Sequence, residues 1–411
     1  MYCVQNITED LFFVGASDRR LNLFENVFPI PHGVSYNSYL VMDEQTILLD
    51  TVDKAVSGQF FENIEHVLNG RTLDYVIINH MEPDHAATLD ELVLRYPQVT
   101  IVGNTKTFAM IKQFFTLNDD CPKHVVKEGD VLCTGKHSFT FVMAPMVHWP
   151  EVMVTYDTVD KVLFSADAFG TFGALNGNIF ADQVNFERDL LDEARRYYAN
   201  IVGKYGPNTL QIIKKAENLE IDVLCPLHGP IWRAKMPTDT PAHTPDIAWF
   251  INKYKKWGSY TAEDTAVVIA YASIYGNTEN AAQIVANNLA KKGVRAIAMY
   301  DTSVTHPSYI VSEIFRASHI VFASSTYNNG IFDPMHTLLH AIANKNVQNR
   351  TISFIENGSW ASQAAKKMKA FVEPLKNIDV LEPTVNIKSS AKEENLCELE
   401  QLAREIVDSL N

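Results

Sequence analysis

At 411 residues the chain is long enough for two or more domains, and its 46% hydrophobic and 20% charged content is that of a globular protein. A formal net charge of −14 argues against a sequence-independent grip on nucleic acid, which needs clustered Lys and Arg. No apolar run approaches the roughly 18 residues that a membrane span requires.

Five scattered cysteines (Cys3, Cys121, Cys133, Cys225, Cys397) never form a C-x-x-C pair, which points to a reducing compartment. The N-terminus lacks a basic start followed by a long apolar core, so the expected setting is cytoplasmic. Asn6-Ile-Thr8 and Asn357-Gly-Ser359 then match glycosylation acceptors by chance.

Up to about residue 230, short apolar runs alternate with turns: YNSYLVM, TILLD, YVIINH, VTIVG, FTFVMAPMVH, KVLFSAD and IDVLCPLH. Helical patterns lie between several of them, as in HAATLDELVLRY. Two Pro-containing turns in MPTDTPAHTPD precede a helix-like aromatic stretch, IAWFINKYKKW, that ends at Gly258. After TAED the rhythm becomes strand–helix alternation: AVVIAYAS, an amphipathic helix from Asn280, VRAIAMYD, HIVFASS, TISFIEN and a final helix, EENLCELEQLAREIVDSL. That alternation predicts a parallel sheet covered on both faces. The boundary is expected near residue 260, giving domains 1–260 and 261–411.

The chemistry concentrates in VIINHMEPDHAATLD, where His80, Glu82, Asp84 and His85 follow an apolar run. A hydrated turn bent by Pro83 is the plain alternative. Three further apolar runs also close on a potential ligand: FTFVMAPMVH on His148, KVLFSAD on Asp167 and IDVLCPLH on His228. If the four strands share one sheet layer with the same ends up, these residues meet on a rim, where α/β proteins build sites. Seven donors exceed the need of one tetrahedral zinc and suit two metals bridged by a carboxylate. Oxygen-rich ligation with imidazole and no thiolate fits iron or manganese.

His-x-Glu-x-Asp-His, followed by lone His, Asp and His at later strand ends, resembles the metallo-β-lactamase fold. Hydrolases of that fold usually carry His where this chain has Glu82. With Glu there, the motif resembles the flavodiiron proteins, whose centre is a non-haem di-iron site. The resemblance implies one iron on His80, Glu82 and His148, the other on Asp84, His85 and His228, and Asp167 bridging. Family members differ in whether the last His of the motif, here His85, binds iron directly.

Three loops in the second half make an independent case. AVVIAYASIYGNTENAAQ places Ser273, Tyr275, Gly276, Asn277 and Thr278 at a helix N-terminus, suited to a phosphate or equally to an ordinary cap. SSTYNNG (Ser325, Thr326, Tyr327, Asn328, Asn329, Gly330) and NGSW (Asn357, Gly358, Ser359, Trp360) also end strands. They offer close backbone approach, polar groups and aromatic faces, as a flat isoalloxazine needs. The pattern resembles flavodoxin, a doubly wound fold that binds FMN at its strand ends, and the G-x-G-x-x-G dinucleotide fingerprint is absent. The expected architecture is α/β: an N-terminal metallo-β-lactamase-like αββα sandwich and a C-terminal flavodoxin-like doubly wound parallel sheet.

The family resemblance implies an oxidoreductase in which electrons pass from FMN to two irons that reduce O2 to water, or NO to N2O. A zinc-dependent hydrolase fused to a flavodoxin-like domain is disfavoured by Glu82, and a non-catalytic electron carrier by the complete ligand set. Some family members append a rubredoxin domain with paired C-x-x-C motifs. This chain has none, so a separate donor is expected, a rubredoxin-like protein or an NAD(P)H-dependent reductase. The family also pairs head to tail, implying a homo-oligomer, dimer or tetramer. Tyr198, in DEARRYYANI, is a candidate to hydrogen-bond the bound oxidant, or else a core tyrosine.

Overall fold

The fold is that of a computed structural model, which describes every residue except 119, 239, 242 and 411. Residues 239 and 242 belong to MPTDTPAHTPD, so the turns expected there lie partly outside the described residues. The chain divides into two compact units, Met1–Tyr198 with Pro207–Lys255, and Ala199–Gly206 with Lys256–Asn411.

In the first unit a seven-stranded sheet runs in the order Gln5–Asn6, Leu11–Phe13, Tyr39–Met42, Thr46–Leu49, Tyr75–Ile77, Thr100–Gly103, Lys123–Val125. A six-stranded sheet runs Val131–Cys133, Ser138–Met143, Met153–Asp157, Val162–Phe164, Val223–Cys225, Trp232–Arg233. Side chains alternate across each strand, which decides what faces what. Val41, Ile47, Leu49, Ile77 and Val102 from one sheet and Phe139, Phe141, Met153, Val162 and Phe164 from the other fill a single core between the sheets. The intervening Leu40, Leu48, Val76 and Ile101 are equally buried on the opposite face. A sheet covered on both faces reads as a continuous apolar run, as TILL and YVII do.

The expectation of one layer carrying all four ligand-bearing strands is corrected here. Tyr75–Ile77 lies in the seven-stranded sheet, whereas the strands leading to His148, Asp167 and His228 lie in the six-stranded one. Period-two alternation shows which residues are buried but not which sheet a strand joins. FTFVMAPMVH is also shorter as a strand than expected. It ends at Met143, and His148 belongs to the loop before Met153. HAATLDELVLRY divides into the short helix Pro83–Ala86 and the helix Leu89–Arg95.

The second unit holds a parallel sheet in the order Ile297–Asp301, Asp264–Ala272, Ala317–Tyr327, Arg350–Asn357, then Ile378–Val380 and Val385–Ile387, both paired to the Arg350–Asn357 strand. This is the 2-1-3-4-5 doubly wound order. Val267, Ile269, Val321 and Ile355 pack against Ala281, Val285 and Leu289 of the helix Asn277–Lys291 and Leu399, Leu402 and Ile406 of the helix Glu393–Leu410. Arg350 starts the fourth strand in that order with a buried guanidinium, which donates to the carbonyls of Ile314, Phe315, Gln348, Asn349 and Tyr260. Among the described residues no helix is long and apolar enough to cross a membrane.

The edge of the sandwich where Ser138–Met143 begins is held by charge. Buried His137 lies 2.7 Å from Asp157 through Nδ1 and 3.0 Å from Asp10 through Nε2, with Lys136 Nζ also 2.7 Å from Asp10. Burial works against a charged ring, but the two carboxylates outweigh it and raise the His137 pKa to about 9. A group raised in the folded state stabilises fully below its unfolded value near 6.5 and loses that contribution as pH rises through its folded value. We expect stability to fall by about 1–3 kcal/mol between pH ~6.5 and ~9.5. Denaturant unfolding of wild type and His137→Gln across that range checks this: the variant should lose most of the slope, and equal slopes would refute it.

Candidate metal centre and flavin pocket

The rim of the first unit begins with a buried carboxylate, Asp50, which follows the strand Thr46–Leu49. Its Oδ1 accepts from the backbone N–H of Asn79 at 2.7 Å and of His80 at 3.1 Å, and its Oδ2 accepts from Asn79 Nδ2 at 2.8 Å. Burial raises the Asp50 pKa to about 6 against the pull of those donors. Asn79 is then tied to the other sheet, since Thr155 Oγ1 donates to Asn79 Oδ1 at 2.7 Å. These bonds fix the turn that presents His80.

The seven residues expected as metal ligands come together in two groups. Single ligand atoms of His80, Glu82, His148 and Asp167 all lie within 4.8 Å of one another, as do those of Asp84, His85 and His228. Asp167 stands between the groups with one oxygen for each. Its Oδ2 is 3.1 Å from His148 Nε2 and 3.4 Å from His80 Nε2, while its Oδ1 is 3.1 Å from His85 Nε2 and 3.6 Å from His228 Nε2. Glu82 Oε2 reaches His148 Nε2 at 2.9 Å and His80 Nε2 at 3.2 Å. Asp84 Oδ2 is 3.3 Å from both His85 Nε2 and His228 Nε2.

The far sides of the rings are held as ligand imidazoles usually are. His80 Nδ1 meets Glu151 Oε1 at 2.9 Å, and His228 Nδ1 meets the carbonyl of Ser35 at 2.7 Å. His85 Nδ1 has no hydrogen-bond partner, so that ring is held through Nε2 and packing alone. Phe24, Tyr36 and Tyr197 close around His228, with ring centroids 5.4, 5.8 and 5.3 Å away.

The donor set fits a pair of cations. Both oxygens of Asp84 and Oδ1 of Asp167 are buried without a hydrogen bond, and His85 and His228 bring their Nε2 atoms to 3.0 Å of each other. Burial opposes charge on His80 and His148. Yet Asp167, Glu151 and Glu82 hold the His80 pKa well above its usual value, and Asp167 and Glu82 raise that of His148 to about 9. Divalent ions would supply that positive charge instead, with the imidazoles neutral. Glu25 comes up to Glu82 from the solvent side, and desolvation followed by the Glu82 charge raises its pKa to about 8.

Tyr198 packs its ring against Tyr254 at 5.0 Å. The neighbouring Tyr197 is the tyrosine on the rim: fully buried, its ring tilted against His228, its hydroxyl without a hydrogen-bond partner among the described residues. Burial, then the Asp167 charge, pushes its pKa well up, so it stays a hydrogen-bond donor. Sequence gave no means of choosing between adjacent tyrosines. Glu151 could have been found, because HWPE places a carboxylate three residues after His148.

In the second unit a pocket of about 610 Å³ opens at the C-terminal ends of the parallel strands. Of the expected flavin residues, Ser273, Tyr275, Asn277, Thr278, Ser325, Thr326, Tyr327, Asn328, Asn329, Asn357, Gly358, Ser359 and Trp360 line it. Gly276 and Gly330 do not. Gly276 supplies the left-handed turn (φ 87°) that starts the helix Asn277–Lys291, and Gly330 faces the neighbouring hollow beside Asp333 and His336. Ser389 joins the wall from beyond the last strand. Its backbone is paired to Asn357 in both directions, at 3.1 and 2.8 Å, and its Oγ meets Ser359 Oγ at 2.8 Å. Thr278 Oγ1 and Ser325 Oγ meet at 2.9 Å, joining two of the loops. Tyr275 and Trp360 are more than nine-tenths exposed at the mouth, large apolar faces with no partner of their own unit against them.

Residues 34–229 match the ODP family beta lactamase description, and residues 269–397 match flavodoxin. The anaerobic nitric oxide reductase flavorubredoxin of Aeromonas hydrophila is 31% identical over 373 residues, 89% of this chain and 72% of that protein. The solved rubredoxin oxygen:oxidoreductase of Desulfovibrio gigas is 30% identical with a TM-score of 0.90, covering 99% of this chain and 98% of that one. A variant flavo di-iron protein of Thermotoga maritima is 26% identical with a TM-score of 0.87, covering 99% of each chain. The chain belongs to the flavodiiron protein family. It is an oxidoreductase, and its cofactors are FMN and a di-iron centre.

If the rim residues are the ligands, Glu82→Ala and Asp167→Ala should lose most bound iron and keep FMN, because the two sites lie in separate units. Metal analysis beside the flavin absorbance reads this directly; full iron content in both variants would overturn the ligand set. Glu151→Gln should weaken iron retention about 10–100-fold, as removal of a partner to a ligand imidazole does. Competition with a chelator measures it.

Proposed function

We propose that this protein reduces O2 to water, with electrons from a separate donor entering at FMN and passing to the di-iron centre. The observation that carries the reading is Asp167, which gives one carboxylate oxygen to each of two ligand groups. Two groups of donors that share one carboxylate would hold two redox ions side by side, which supply electrons in pairs. Iron and FMN supply the electron chemistry that side chains lack.

The chain's own residues position and protonate. His80, Glu82 and His148 would hold one ion and Asp84, His85 and His228 the other, with Asp167 offering an oxygen to each group. Asp50 and Glu151 fix the backbone and ring of His80. Tyr197 keeps its hydroxyl protonated at a buried position beside His228, with no hydrogen-bond partner among the described residues, and would serve as the rim's donor. In the second unit the N-terminus of the helix Asn277–Lys291, with Ser273, Asn277 and Thr278, takes the phosphate. Tyr327 and Trp360 would offer aromatic faces to the ring, and Asn328, Asn357 and Ser389 polar groups to its edge. Full reduction of O2 consumes four electrons and four protons, so a supply of both is required.

Reduction of NO to N2O is the second reading, favoured by the flavorubredoxin relative. The deciding measurement is steady-state consumption of O2 and of NO by one reduced preparation at matched donor supply. We expect the higher kcat/KM with O2; a higher value with NO reverses the assignment, and turnover of neither refutes it. Tyr197→Phe should lower kcat about 10-fold or more with iron content unchanged.

The scattered cysteines support a cytoplasmic setting, and the donor is a rubredoxin-like protein or an NAD(P)H-dependent reductase. We further propose a head-to-tail homodimer, alone or paired into a tetramer, in which the FMN of one subunit serves the irons of the other. The exposed faces of Trp360 and Tyr275 support it. Complementation tests it: a variant lacking Asp84 and His148, mixed with one altered at Ser273 and Thr278, should regain activity upon subunit exchange. Labelled subunits that exchange without recovering activity would exclude transfer between chains.

A further inference from the structure

An apolar cavity of about 70 Å³ lies behind the turn that carries Asp167. Its floor is the outer face of the six-stranded sheet, through Val142, Val154, Leu163 and Leu224, and its roof is the helix Gly206–Ala216, through Ile212 and Ala216. Buried Ser165, Ala168 and Phe169, which bracket Asp167 in the chain, are part of its wall. The exposed residues Lys215 and Glu217 also border it. One turn thus offers Asp167 to the metal rim and its neighbours to the cavity.

The lining suits neither water nor a polar ligand. The hydroxyl of Ser165 donates to the carbonyl of Ala168 at 2.8 Å, which satisfies it within the turn. A buried water needs about 2–4 polar partners, and apolar cavities without them stay dry and take up benzene or xenon. This one is roughly half the ~150 Å³ of the engineered cavity that binds benzene, so it is sized for a smaller guest. O2 and NO are small and weakly hydrated, and dispersion contacts with such walls would hold them.

We propose that this cavity is a holding site for the apolar diatomic substrate, which it keeps one chain residue away from the bridging carboxylate and feeds to the metal rim past Ala168. The inference rests on the oxidoreductase reading of that rim.

Xenon is the probe, since it fills such a cavity without any redox chemistry. Crystals of the holoprotein under xenon pressure should show xenon among Leu163, Ile212 and Leu224. Ala216→Phe, which pushes a ring into the roof, should exclude it and raise the KM for O2 about threefold or more at unchanged kcat, iron and FMN content. Ile212→Phe is a second, milder filling should the first fail to fold. A cavity with only a structural role would change thermal stability and leave KM alone. No xenon in the wild type, or filled variants with wild-type KM, overturns the proposal while leaving the function intact. A wild type that turns over neither gas refutes the functional reading and the feeding role with it, whatever the xenon occupancy.

Discussion

The first unit is organised around an electrostatic problem: three carboxylates and four imidazoles buried together at one rim. Charges removed from water are costly unless paired, and carboxylates at this spacing repel one another. Asp167 is where the problem is most acute, because it is fully buried and four histidine Nε2 atoms lie within 3.6 Å of its two oxygens. Either protons on the rings or metal ions between the ligands must balance it. The surrounding bonds make sense as preparation for metal. Asp50, Glu151 and the Ser35 carbonyl each spend an acceptor on fixing the backbone or far ring nitrogen of a rim histidine, leaving the near nitrogens aimed inward.

The second unit solves a different problem with almost no charge. Its pocket wall is made of hydroxyls, amides and backbone, arranged by parallel strands whose C-terminal ends face one way. Hydroxyl pairs such as Thr278 with Ser325 and Ser359 with Ser389 connect loops that are far apart in sequence. The pocket therefore depends on the register of the sheet more than on any single loop. A ring binding there would be gripped by shape and hydrogen bonds, which suits a cofactor that must change charge while staying bound.

Much of this architecture was legible in residue patterns. Apolar runs ending in His or Asp marked the turns that converge on the rim, and the strand–helix alternation after TAED marked the parallel sheet. Sheet membership was not legible, since Val76 and Leu163 obey the same alternation in different sheets. Nor were the contributions of residues that look ordinary alone. Asp50 reads as the polar end of TILLD, Ser389 as one serine among several, and Tyr197 differs from Tyr198 only by the rotation of a helix. Each acquires its place from a partner distant in sequence, which no local window contains.

That distance also has a consequence for how the protein is made. His80, Glu82, His148 and Asp167 have all been synthesised well before His228, which the second group requires. At ~5–20 residues per second the ribosome takes several seconds more to deliver it. During that interval the first group is complete while the second has only Asp84 and His85, and the strand Val223–Cys225 has yet to take its place beside Val162–Phe164. If these residues are the ligands, translation itself would complete the first position before the second, and a nascent chain would have a place for one ion before it had places for a pair.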